Sequence, residues 1–92
     1  MRDITDKVAW ITGAGTGIGE GGAVALAEVG VKVVLSGRRQ EKLEEVARRC
    51  GPNAWFEVLD VSNKEAVFEV GDRIVQNHGK FDILVASGGI NM

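Results

Sequence analysis

The feature that most constrains this chain is a run of apolar residues, Val8 to Ile11, that passes directly into TGAGTGIG, residues Thr12 to Gly19, and from there into a helical pattern. The apolar run is continuous rather than alternating, as expected of a strand covered on both faces in a parallel sheet. Glycines at such a place serve turns with positive φ and close helix–strand packing. The same turn also aims backbone N–H groups, those of Thr16, Gly17 and Ile18, at an anion seated on the helix N-terminus. A glycine pattern alone leaves a structural turn and a phosphate cradle both open; its place between a strand and a helix favours nucleotide binding.

The remaining sequence repeats the alternation. From Gly17 to Glu28 the apolar positions Ile18, Val24, Ala25, Leu26 and Val29 suit a helix, with Gly30 as its C-terminal cap. Val31 to Leu35 is a second continuous strand, and Gln40 to Cys50 places Leu43, Val46 and Ala47 on one helical face before Gly51-Pro52 stops it. Trp55 to Leu59 reads as a third strand ending at Asp60-Val61, and Ser62 is placed to cap a helix from Asn63 to about Asn77 that His78-Gly79 closes. Phe81 to Ala86 makes a fourth strand, followed by Ser87, Gly88 and Gly89. Both tryptophans, Trp10 and Trp55, fall within strands and read as core.

This β-α-β-α-β-α-β pattern, with right-handed crossovers, predicts a Rossmann-type doubly wound α/β sheet of strand order 3-2-1-4. A ligand crevice opens where the chain reverses between strands 1 and 4, lined by the strand ends Gly13, Ser36, Asp60 and Ser87.

Charge and composition narrow the partners. Eleven Lys and Arg against 13 Asp and Glu give a net charge of −2 from interspersed signs, which supplies no electrostatic footprint for nucleic acid or an acidic membrane surface. No apolar stretch is long enough to span a bilayer. The single Cys50 forms no internal disulfide, and the opening MRDITDKVAW lacks the apolar stretch of a secretory signal, so a cytoplasmic location is expected. One His and one Cys far apart make no metal-ligand cluster.

The spacing Gly-x-x-x-Gly-x-Gly filled by Gly13, Gly17 and Gly19, with Thr12 ahead of it, resembles the short-chain dehydrogenase/reductase family. SGRR at residues 36–39, LDVS at 59–62 and GKFDILV at 79–85 extend the resemblance over essentially the whole chain. It implies an oxidoreductase that transfers hydride between a nicotinamide cofactor and a small carbonyl or alcohol substrate.

Cofactor choice follows from charge. A site that prefers NAD carries an acid about 20 residues past the glycines, which binds the ribose 2′-OH and would repel a 2′-phosphate. Gly37 stands at the position the resemblance assigns to that acid, while Arg38 and Arg39 offer planar donors for a phosphate. NADP is therefore the expected cofactor and NAD the alternative; one or both arginines could instead only solvate the start of the second helix. The resemblance implies a contact from Asp60 to the adenine amino group, with the Val61 backbone beside it, against the competing reading of Asp60 as a helix cap.

Three departures stand out. The family's Asn-Asn-Ala-Gly is Ala86-Ser87-Gly88-Gly89 here, so Ser87 and Gly88 keep backbone contacts to the cofactor ribose but lose both amides. Glu20 opens the first helix near the expected pyrophosphate and is expected to face solvent; Gly21 and Gly22 follow it, tolerated for close approach to either the sheet or the cofactor. The family's Ser and Tyr-x-x-x-Lys catalytic groups have no counterpart, since the chain contains no Tyr. Ser36, Ser62 and Ser87 have no matching base, and His78 at a helix end reads as a dipole partner.

Two functions result. Residues 1–92 are expected to be a dinucleotide-binding segment, the N-terminal part of a longer single domain, inactive by itself. The alternative is a stand-alone nucleotide-binding or regulatory module that completes its sheet as a homo-oligomer through the fourth strand.

Overall fold

β-branched and aromatic side chains, held extended and buried on both faces, build β1 (Val8–Thr12) at the centre of a parallel sheet. The structure is a computed structural model and describes residues 6–15 and 17–86. After β1 follow α1 (Gly17–Glu28), β2 (Lys32–Gly37), α2 (Gln40–Cys50), β3 (Ala54–Val58), α3 (Lys64–His78) and β4 (Ile83–Ala86). The strand order is β3-β2-β1-β4, the doubly wound α/β order that the sequence predicts. Register runs Trp10 to Val34 and to Leu84, and Val34 to Trp55.

Because side chains alternate along a strand, the sheet divides the core into two layers. Ala9, Ile11, Val33 and Leu35 pack with Ala23 and Ala27 of α1 and Leu43 and Val46 of α2. Val8, Trp10 and Val34 pack on the other face with Leu59 and with Val70 and Ile74 of α3. Helices on both faces leave the C-terminal strand ends as the open rim.

Helix α1 buries Gly19, Ala23 and Ala27, spaced four apart on one face. The larger Ile18 and Val29 point outward, Ile18 being 82% exposed. Small residues at the contact let the helix lie close to β1 and β2. Its end is a Schellman turn: Gly30 at φ 96 donates to Ala27 O at 3.0 Å, and Val31 donates to Leu26 O at 3.1 Å. Gly79, in the left-handed region, closes α3 by donating to Val75 O at 2.7 Å.

Two local expectations are corrected. The cap of α3 is Asn63, whose Oδ1 accepts from the Ala66 N–H at 3.1 Å, while Ser62, one residue earlier, is held in a turn by donating its N–H and its hydroxyl to Asp60 Oδ1. Trp55 is not core: it lies on the edge strand β3, is 42% exposed, and makes a T-shaped ring contact with His78 at a centroid distance of 4.6 Å. Trp10, on central β1, is buried as expected. No helix among the described residues is long and apolar enough to cross a membrane.

Candidate functional site

The rim is laced together by backbone hydrogen bonds. Gly13 turns the chain out of β1 at φ 73, and the buried Ala14 that follows donates its N–H to Ser36 O at 3.1 Å. Leu59, just past β3, donates to Gly37 O at 2.7 Å. The glycine turn, the end of β2 and the end of β3 are thereby fixed as neighbours.

Packing is tight at one of the glycines and ordinary at a second. A Cβ on Gly37 would sit 3.3 Å from Leu43 Cδ2 and 3.8 Å from Gly15 N. A Cβ on Gly15 would meet the Cβ of Lys42 at 3.4 Å. The first turn of α2 therefore lies over the glycine turn, with Leu43 beneath Gly37 and Lys42 beside Gly15. By contrast a Cβ on Gly17 would meet nothing within 4 Å. Among the described residues nothing crowds position 17; Ile18 beside it is exposed, and Gly19 is buried one residue further on.

Arg38 and Arg39 are both exposed at the head of α2. Arg39 is the N-cap residue, in extended conformation, and gives no side-chain cap. Across the rim, Asp60 Oδ1 accepts from the Ser62 N–H at 2.9 Å and from Ser62 Oγ at 2.7 Å. These bonds, with a smaller contribution from the Arg38 charge, hold the Asp60 carboxyl below the usual carboxylate range. The helix-capping reading of Asp60 falls, since Asn63 holds that place. Val61 follows at 45% exposure. Thr16, Ser87 and Gly88 lie outside the described residues.

Three expectations change on contact with the tertiary structure. Ser36 does not line the crevice: its side chain is fully buried and its Oγ accepts from Trp10 Nε1 at 2.9 Å. Glu20 does not simply face solvent but pairs with Arg49 of α2. Gly21 and Gly22 approach no part of the sheet, since a Cβ on either meets nothing within 4 Å. Leu43 and Lys42 were missed as rim residues; the apolar face of α2 placed Leu43 in the core, but only the fold brings either one against the glycines. Among the described residues no group of three or more His, Cys, Asp and Glu could hold a metal ion.

The profile of the family described as short chain dehydrogenase matches residues 7–92. An uncharacterized oxidoreductase of Staphylococcus saprophyticus is 44% identical over 94 residues, covering 98% of this chain and 40% of the relative. The Mus musculus dehydrogenase/reductase SDR family member 7 is 41% identical over 97 residues, covering 95% of this chain and 28% of the relative. Among solved structures, a metagenomic short-chain oxidoreductase in complex with NADP matches with a TM-score of 0.90 and 34% identity, over 97% of this chain and 42% of that one. An NAD+-bound xylitol dehydrogenase matches with a TM-score of 0.85 and 35% identity, over 90% of this chain and 33% of that one. The chain spans less than half the length of each.

Proposed function

This chain belongs to the short-chain dehydrogenase family, and from that premise we propose that it is the NADP(H)-binding half of an oxidoreductase acting on a carbonyl or alcohol substrate. The observation that carries the reading is the shape of the rim. The turn is open at Gly17, where nothing within 4 Å would meet a side chain, and two exposed arginines stand where the chain leaves β2.

The residues fit a dinucleotide. Thr16, Gly17 and Ile18 would hold the pyrophosphate through backbone N–H groups at the α1 N-terminus, with Gly13 and Gly19 shaping the turn around it. Arg38 and Arg39 would hold the 2′-phosphate; Asp60 and Val61 the adenine; Ser87 and Gly88 the ribose. Gly37 supports NADP over NAD through charge, because no acid stands there to repel a 2′-phosphate; a Cβ at that position would be tight against Leu43 Cδ2, at 3.3 Å. The similar structures carry NADP in one case and NAD+ in another, so NAD remains the alternative.

When bound, the nicotinamide supplies or accepts hydride. This chain's own residues bind and orient; with no Tyr in the chain, the proton-transferring Ser and Tyr-x-x-x-Lys of the resemblance belong to the rest of a longer domain, and residues 1–92 alone do not turn over substrate. A second reading, a stand-alone binding module, is favoured by the rim itself, whose described walls come entirely from the ends of β1, β2 and β3 and the helices after them.

Calorimetric titration of the chain with NADP and with NAD tests the reading. Arg38→Asp should weaken NADP by roughly 10- to 100-fold, the worth of a hydrogen bond to a charged group, and leave NAD nearly unchanged. Equal losses for both cofactors would sink the 2′-phosphate assignment, and no binding of either would sink the cofactor reading.

A further inference from the structure

We propose that Lys42 supplies a further cation for the 2′-phosphate of NADP, reaching it from the first turn of α2. The inference rests on the NADP reading above and adds to it a residue that the glycine and arginine motifs do not include.

Position argues for it first. Lys42 Cβ lies 3.4 Å from where a Cβ on Gly15 would stand, and Gly15 N lies 3.8 Å from where a Cβ on Gly37 would stand. Lys42 therefore packs on the glycine turn, and the turn lies against the end of β2, where Arg38 follows Gly37. The stem of Lys42 is anchored on the turn, and its flexible four-carbon chain carries a compact point charge with three donors.

Availability argues for it second. The ammonium of Lys42 is paired only loosely, with Glu45 Oε1 at 4.0 Å, and both side chains are at least half exposed. A pair of that length and exposure contributes little and is readily exchanged. Among the described residues Glu45 is the one ion-pair partner of Lys42, and Glu44 Oε2 accepts from Gln40 Nε2 at 2.9 Å. A phosphate at the head of α2 offers Lys42 a doubly charged partner in place of a distant single one.

The rim thus discriminates between cofactors by three cations, Arg38, Arg39 and Lys42, rather than by two. Only the 2′-phosphate gains from Lys42; a cofactor with a free 2′-OH does not.

The test is binding of NADP and NAD to Lys42→Met and Lys42→Arg, measured by calorimetry at low salt beside the parent chain and Arg38→Asp. Methionine keeps the packing on Gly15 and removes the charge. We expect Lys42→Met to weaken NADP by roughly two- to fivefold, the worth of one exposed charge pair, with NAD unchanged and Lys42→Arg close to the parent. The loss should shrink as salt is raised. Unchanged NADP affinity in Lys42→Met, with Arg38→Asp still defective, would overturn the role of Lys42 and leave the NADP reading standing. Equal losses of NADP and NAD would assign Lys42 to packing alone and also overturn it. Failure of Arg38→Asp to discriminate would overturn both.

Discussion

The indole of Trp10 donates from Nε1 to the hydroxyl of Ser36 at 2.9 Å, a buried bond between residues 26 positions apart on adjacent strands. It crosses the sheet face that α3 covers, and the indole also packs edge-on against Phe81 at 5.3 Å between centroids. A serine at the end of β2 therefore serves the core beneath the rim and not the crevice above it.

Ser36→Ala leaves the buried indole N–H without its partner. The expected cost is about 1–3 kcal/mol, the penalty of one orphaned buried donor. Urea denaturation followed by circular dichroism measures it, and an unchanged midpoint would show that the bond contributes nothing to stability.

Gly17→Val separates folding from binding. Its Cβ has open space, and Gly17 is not among the glycines with positive φ, so the chain should keep its fold. The branched side chain would then stand in the path of the pyrophosphate. Cofactor affinity should fall at least about tenfold while the urea midpoint shifts little; undiminished affinity would remove the turn from the site.

Gly21→Ala and Gly22→Ala should each stabilise the chain. Neither glycine has positive φ, and a Cβ on either meets nothing within 4 Å. Restricting the unfolded chain at such positions is worth about 0.4–1 kcal/mol. A fall in thermal midpoint for either variant would contradict the open space beside α1.

Stability should fall in acid through Asp82. Its Oδ2 accepts from the Val8 N–H at 3.0 Å, and its own N–H donates to Val8 O at 2.8 Å, fastening the start of β4 to β1. The Val8 bond, and then Lys80 and Lys7, lower the carboxyl below its ordinary value. A carboxylate lowered on folding stabilises above its unfolded pKa of about 3.9 and loses that contribution as pH falls through the folded value. Urea midpoints measured downward from about pH 6 should drop less steeply for Asp82→Asn than for the parent; identical slopes would show that Asp82 does not couple to folding.

The order of elements was legible because its signals act over short stretches. Continuous apolar runs mark the strands, and α1 and α2 occupy the ranges expected from Gly17 to Glu28 and from Gln40 to Cys50. Gly30, Gly51 and Gly79 end the three helices with positive φ that only the backbone a residue or two away requires. Even here a local competition misled: Ser62 and Asn63 are both good caps, and the helix starts one residue later than expected, with Asn63 as its cap and Ser62 in the turn that Asp60 accepts from.

By itself, then, the sequence determined the alternation of strands and helices, the glycine turn at the head of α1, and the absence of a Tyr. The tertiary structure decided what those elements present to one another. Which face of β2 carries Ser36, whether Trp55 is covered, what Glu20 pairs with, and how tightly position 37 is packed all depend on side chains brought together by sheet register and helix packing. Periodicity says that a residue is on a face; it does not say what lies against that face. Leu43 under Gly37 and Lys42 beside Gly15 exist only once α2 is laid over the turn, and it is there that the rim acquires its shape and charge.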